Sequence, residues 1–482
     1  MDTTYYYSDK ISRYQMKYTL AFFVLFLAIV TPILSVDYRI DLSEENLISL
    51  ISFLAIGLFS FAGLFFAAYK RPFSLDCVHW TFVLLFFFYV PIYQFLLDEP
   101  IKMTDIGAFR TYHMQANILI LIWLSVYTIT YHVLYRVQTS RHALLSQPDM
   151  AQRTGDQNYL LLVFLSIAAT ATTIATFGLE GMLLRGAVGM AASEQDTKVL
   201  WLIVNIFCRA LPVAALSLLV LTFSSRRKGY YSSILVIGIC ALLINFPTST
   251  ARFWFGALAF GFTGITLRKR FRISSLWIPI LFYFSCLVIM PVLDISRKKT
   301  QFADLKITQY RTRSYISLLL GGDFDGTQMF TNTIKYINEG PGIAYGRQLF
   351  GVIFFFVPRT IWEDKPVGSG KLIAKYYHIP NKNLSNTLPA EGYLNFGSVG
   401  VVIFAAAFAF VLCRLDISYW QRSAQTGEKV SLLSLTYPFL VGFVIFIMRG
   451  DLLSSFSYTM GFVTASWIVL KAAQFTIARD NY

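Results

Sequence analysis

Run after run of apolar residues, each about the length needed to cross a bilayer, divides this chain at short polar turns. A backbone inside lipid must satisfy its own hydrogen bonds, so only helices or a closed barrel can use such runs. Each is long enough, or nearly so, to cross as a helix, and they read as transmembrane helices. The expected spans are 18–36, 47–69, 79–97, 114–135, 158–177, 199–223, 231–248, 253–267, 274–293, 391–413, 430–448 and 452–470. The span at 253–267 is short and meets its predecessor through a tight turn from Pro247 to Arg252.

Composition agrees. The chain is 56% hydrophobic and 14% charged, against roughly a quarter charged in soluble domains. Its net charge of +14 sits in short clusters between apolar runs, which is a topology signal and points away from nucleic acid. The expected fold is an all-α polytopic integral membrane protein of about twelve transmembrane helices. It forms a single membrane domain over 1–482: nine helices across 18–293, a large loop across 294–390 and three helices across 391–470. The five cysteines, Cys77, Cys208, Cys240, Cys286 and Cys413, lie in or beside apolar runs without CxxC spacing. They read as small buried hydrophobes, not as a disulfide framework or zinc site. The N-terminal run lacks a small-x-small cleavage pattern and reads as a retained helix.

Lys and Arg in short loops set the orientation. One side receives clusters such as Lys10/Arg13/Lys17, Arg226/Arg227/Lys228 and Arg268/Lys269/Arg270/Arg272; the other is poorer in cations and carries Asp37, Asp41, Glu44 and Glu45. Both termini are therefore expected in the cytoplasm and the 297–389 interval outside. That interval holds thirteen Lys/Arg against six Asp/Glu, so it faces outward against its own charge, as long loops can. An anionic ligand at the outer leaflet, or anionic headgroups, would account for the charge. Its one apolar run, 349–357, reaches only about 15 Å as a helix, half a bilayer core. It can dip into a membrane without crossing it.

Several side chains in and near this interval could carry chemistry. Arg209 falls within a span just before Pro212, where a guanidinium is costly and marks either a site or an internally paired structural residue. Arg252 begins a span and is a ligand contact or a snorkelling end residue. Arg297, Arg311, Arg313 and Arg359 offer planar forks suited to phosphate oxygens, and several converging could hold a pyrophosphate leaving group. A general base would come from the few carboxylates on this face or from His378. Glu391, where the loop re-enters the membrane, is the foremost, although the macrodipole alone also favours a carboxylate there. Asp323 and Asp325 resemble a turn, and His113 reads as a loop surface residue. The Asp323-Phe324-Asp325 pair reads as part of that turn and no histidine cluster suggests a metal, so no metal and no cofactor is expected.

The stretch Phe355-Phe356-Val357-Pro358-Arg359-Thr360-Ile361-Trp362-Glu363-Asp364-Lys365-Pro366 is followed by Gly370 and by Asn386-Thr387-Leu388-Pro389-Ala390-Glu391-Gly392-Tyr393-Leu394-Asn395-Phe396-Gly397. It resembles the bacterial O-antigen, or oligosaccharide repeat-unit, polymerases of the Wzy type. The likeness covers the final third in detail and the rest in hydropathy. An arginine-x10-glycine spacing of that family occurs twice, from Arg311 to Gly322 and from Arg359 to Gly370.

The resemblance implies a GT-C-type glycosyltransferase of the bacterial inner membrane, working on the periplasmic side. Its donor and acceptor would be undecaprenyl-pyrophosphate-linked oligosaccharides, with membrane lipids and a chain-length regulator protein as further partners. The catalytic candidates are Glu391, Arg359 and Arg311. Substrate contacts are expected from Arg209, Arg252, Arg297, Arg313, Asp323, Lys365, His378 and Asn395. Competing readings are an O-antigen ligase, a repeat-unit flippase, which would show symmetric halves, and a metal-dependent transferase using Asp37, Asp41, Glu44 and Glu45.

Overall fold

The computed structural model describes residues 33–34, 39–41, 43–71, 73–145, 159–183, 203–222, 229–267, 321–424 and 430–474. All regular structure among them is helical. Most of the expected span at 18–36, all of 274–293, and with it Arg297, Arg311 and Arg313, lie outside the described residues. In chain order the helices are α1 (Glu44–Lys70), α2 (Leu75–Leu96), α3 (Ala108–Leu145), α4 (Tyr159–Leu183), α5 (Val204–Leu221), α6 (Tyr230–Ile244) and α7 (Arg252–Leu267). Then come α8 (Gly326–Glu339), α9 (Arg347–Ile353), α10 (Ser369–Tyr376), α11 (Leu388–Ala424), α12 (Leu432–Arg449) and α13 (Leu452–Gln474).

Eight of these, α1 to α5 and α11 to α13, are long and apolar enough to cross a membrane. The chain is a multi-pass, all-helical membrane protein. The expected span at 231–248 is shorter than the hydropathy suggests, since α6 has 15 residues, while α7, with 16, matches the short span expected at 253–267; they reach about 22–24 Å against a core of about 30 Å.

The centre of the bundle is α2, buried along its whole length. A helix covered on all sides needs no polar face, and its run of Leu, Phe, Trp and Tyr supplies none. It packs against α1, α8, α11 and α12, while the Trp123 indole of α3 donates to His79 Nε2 at 3.2 Å. Beside this centre α4, α5 and α6 pack together and meet α13, and α7 pairs with α12.

From Gly321 onward the expected loop is a folded polar cap. A 3₁₀ turn at Gly322–Phe324 leads into α8, whose first nine residues are all buried. Burying such polar side chains is tolerable only if each finds partners, and here they do. The Gln328 amide donates to the Ile101 carbonyl at 2.8 Å and accepts the Ile101 N–H at 2.6 Å. Asn332 donates to the Thr104 carbonyl at 2.7 Å. Thr327 donates to the Phe86 carbonyl at 2.9 Å, within the π-helical turn Leu84–Tyr89 that widens α2 at mid-length.

Two further expectations need correction. The half-inserted helix at 349–357 is α9, which starts earlier and ends by Ile353, the following residues being turns. His113 is a helical residue of α3, largely buried, with Nε2 2.9 Å from Ser49 Oγ.

Candidate functional site

Helix α11 is two helices end to end. Gly397, at φ 63° and ψ −150°, breaks it, in a region that only glycine enters without strain. The break separates a short arm, 388–395, from the long crossing helix, and Glu391 sits on that arm, 2% exposed. Its Oε1 accepts the Leu452 N–H at 3.0 Å and a short hydrogen bond from Ser369 Oγ. Its Oε2 accepts no hydrogen bond from any described residue.

Ser369 can reach Glu391 because glycines flank it. A Cβ on Gly368 would lie 2.5 Å from Asp451 Oδ1, and one on Gly370 would lie 2.2 Å from the Leu384 carbonyl oxygen. The turn entering α10 is thus held between Asp451 and the backbone of 384–385. Asp451 also caps α13, accepting from Ser454 N–H at 3.1 Å and Ser454 Oγ at 2.9 Å; burial pushes its carboxyl up.

A second group adjoins the first through the same chain segments. Ser385 Oγ donates to Asp325 Oδ1 at 2.8 Å. Arg449, at the C-terminal end of α12, lies 3.3 Å from that oxygen and also donates to the carbonyls of Asp323 at 2.7 Å and Gly322 at 3.0 Å. Burial raises the Asp325 carboxyl above the usual aspartate range, and Arg449 works against that rise. Arg252 stands at a helix N-terminus, where the macrodipole disfavours a cation, and an ion pair with Asp323 offsets this. The turn at 449–452 ties everything together: Arg449 touches Asp325, Asp451 abuts Gly368, and the Leu452 N–H holds Glu391.

Other expected site residues lie around this core. Arg209 is 2% exposed, its guanidinium 5.4 Å from the Phe177 ring centroid. Its carbonyl accepts from Asn245, which in turn accepts from Trp254 of α7. Asn395 braces the arm of α11, donating to the Glu391 carbonyl at 2.9 Å and accepting the Leu349 N–H at 3.2 Å. His378 is exposed just past α10 with a positive φ of 53°. Asp323 and Asp325 do occupy a turn, and both carry ion pairs as well.

Arg359 and Lys365 sit together on a protruding tip. Arg359 donates to the carbonyls of Lys365 at 2.6 Å and Pro366 at 3.1 Å. Lys365 donates back to those of Phe355 at 2.6 Å and Val357 at 2.8 Å. The two cations therefore brace the 355–366 turn, which leads directly into Gly368 and Ser369. Around them stand exposed Phe350, Ile353, Phe356 and Ile361.

No known family, curated protein or solved structure matches this chain.

Arg449, Asp451 and Ser369 are the members of the core that sequence reasoning passed over. A signal for the first two exists: Arg449-Gly450-Asp451 places opposite charges around a glycine in a three-residue gap between spans. The assembled groups can do acid–base chemistry beside anion binding. One carboxylate is fixed through a single oxygen, and guanidiniums stand on an adjoining turn.

Proposed function

We propose that this protein is a membrane glycosyltransferase of the repeat-unit polymerase type, which extends a glycan carried on a polyprenyl diphosphate at the outer face of a bacterial inner membrane. The reading draws on the resemblance of 355–397 to that family. The observation that carries it is Glu391: buried, anchored through Oε1 by Ser369 and Leu452, with Oε2 left for a ligand.

In this reading Oε2 takes the proton of an acceptor sugar hydroxyl as that oxygen attacks the anomeric carbon of the donor glycan. The bond from that carbon to the carrier's diphosphate breaks, and the diphosphate leaves with the bonding pair. Arg449 and Arg252, with Arg311 as a further candidate, meet the departing charge. Asp323 and Asp325 keep the first two in place. The growing chain passes from its carrier to the non-reducing end of an incoming unit.

Purified protein supplied with one defined polyprenyl-diphosphate repeat unit should give a ladder on a gel. Glu391→Gln should lower chain extension by about 10²–10⁴-fold, the usual worth of a general base, with unchanged yield and melting. A ladder from Glu391→Gln equal to that of the parent would remove Glu391 from the chemistry. Absence of any ladder with authentic donor would remove the polymerase reading itself.

A further inference from the structure

The tip at 345–366 combines exposed apolar side chains with Arg347, Arg359 and Lys365, and no described carboxylate lies within ion-pair distance of these three cations. Glu363 and Asp364 share the tip, yet neither pairs with them; Arg347 reaches only the Asp364 carbonyl, at 3.3 Å. Its depth is set by α13. Phe355 meets Phe456 edge-on at 6.0 Å, one turn, or about 6 Å, past the start of that membrane-crossing helix at Leu452. Phe355 is thereby held within about one turn of the end of a helix long and apolar enough to cross a membrane.

We propose that this tip is a docking surface for anionic lipid headgroups, which seats the polar cap on the bilayer. The inference needs only the membrane-embedded bundle and does not rest on the glycosyltransferase reading. Lipid tails would cover Phe350, Ile353, Phe356 and Ile361, while headgroup phosphates approach the cations. Aromatic and cationic side chains together are the usual occupants of that depth. Partial burial, and with it the neighbouring Arg359, lowers the affinity of Lys365 for its proton, so an anion here would be favoured by both cations. A bulk headgroup fits better than a single carrier molecule, because the apolar residues are each at least half exposed and Arg347 and Arg359 are exposed too.

The test uses the full chain in nanodiscs with an environment-sensitive fluorophore at Ile361→Cys and the unsubstituted chain as a labelling blank. Nitroxide is carried on the acyl chain of either phosphatidylglycerol or phosphatidylcholine, in discs otherwise matched. Both should quench the label, with phosphatidylglycerol enriched roughly fivefold, the worth of one cation at an anionic surface. The enrichment should fall in Arg347→Gln, which leaves both bracing cations in place. It should also collapse at 0.5 M salt in the unaltered tip, which needs no mutation and so cannot be confused with misfolding. Equal quenching by the two lipids would overturn the headgroup assignment, and quenching by neither would place the tip in water. Enrichment abolished by a few mole percent of polyprenyl diphosphate, but not by the same amount of polyprenol, would overturn it in favour of a carrier site.

Discussion

Two buried carboxylates lie on α11, Glu391 near its start and Asp416 near its end, and their surroundings differ in kind. Asp416 accepts from the Leu75 N–H at 2.9 Å, the Asp76 N–H at 3.2 Å, Tyr131 Oη at 2.8 Å and Tyr437 Oη at 2.5 Å. Both oxygens are spoken for by donors from α2, α3 and α12, and the carboxylate sits on the N-terminus of α2, where the macrodipole favours it. Glu391 has two donors, both on Oε1, and one is a serine presented by a glycine-flanked turn. The first arrangement is a brace with nothing left to offer. The second holds a carboxylate still while leaving it an unused oxygen, which is what a reacting group needs. Burial alone would have ranked the two together.

Removing the Asp416 carboxylate should have the largest effect on the fold. Asp416→Ala leaves three buried donors unsatisfied, at about 1–3 kcal/mol each before relaxation, and Tyr437 Oη with only the Phe73 carbonyl at 3.3 Å; it should abolish recovery of monodisperse protein. A normal melting temperature for this variant would erase the contrast with Glu391. Next comes Arg449→Ala, which strands Asp325 in a buried position and should cost about 3–5 kcal/mol. Adding Asp325→Ala to it should return part of that loss in thermal melts; a double variant no better than the single one would show that the pair is not coupled. Tyr437→Phe removes one of Asp416's four donors and should lower stability by about 1–2 kcal/mol with chain extension intact. Ser369→Ala should do the reverse, costing only about 1 kcal/mol in melting while chain extension drops. Equal behaviour of these last two in both assays would mean that the two carboxylates serve the same purpose.

Hydropathy is a good guide where one solvent dominates. Expected spans at 47–69, 430–448 and 452–470 correspond closely to α1, α12 and α13, since their apolar residues have only lipid or other helices to face. It misses α8, because the Thr327, Gln328, Asn332 and Thr333 of that helix read as a water-exposed loop. Their distant partners include backbone carbonyls and the Thr104 and Gln94 side chains, all more than two hundred residues earlier, and the Asn386 side chain. No local window contains that information. Glu391 was legible because it breaks an apolar re-entry point. Arg449 and Asp451 were passed over because their three-residue turn served only to separate two spans, and nothing local shows that it meets Asp325 and Gly368. Ser369 is silent in sequence; only the backs of Gly368 and Gly370 against other chain segments give it a role.

The widened turn of α2 ties the wall of the bundle to its cap. It carries one residue more than a regular helix would, and Thr327 occupies the Phe86 carbonyl there. Letting that residue anneal into regular winding would screw everything past Tyr89 round by about 100°. Gln94 would then swing away from Gln328, 3.2 Å off at present, so undocking the cap and rotating the helix end become one event. Cross-links between positions 94 and 328 should accordingly fail to form in Thr327→Val. Unchanged cross-linking there would mean that the Thr327–Phe86 hydrogen bond does not hold the widened turn in place.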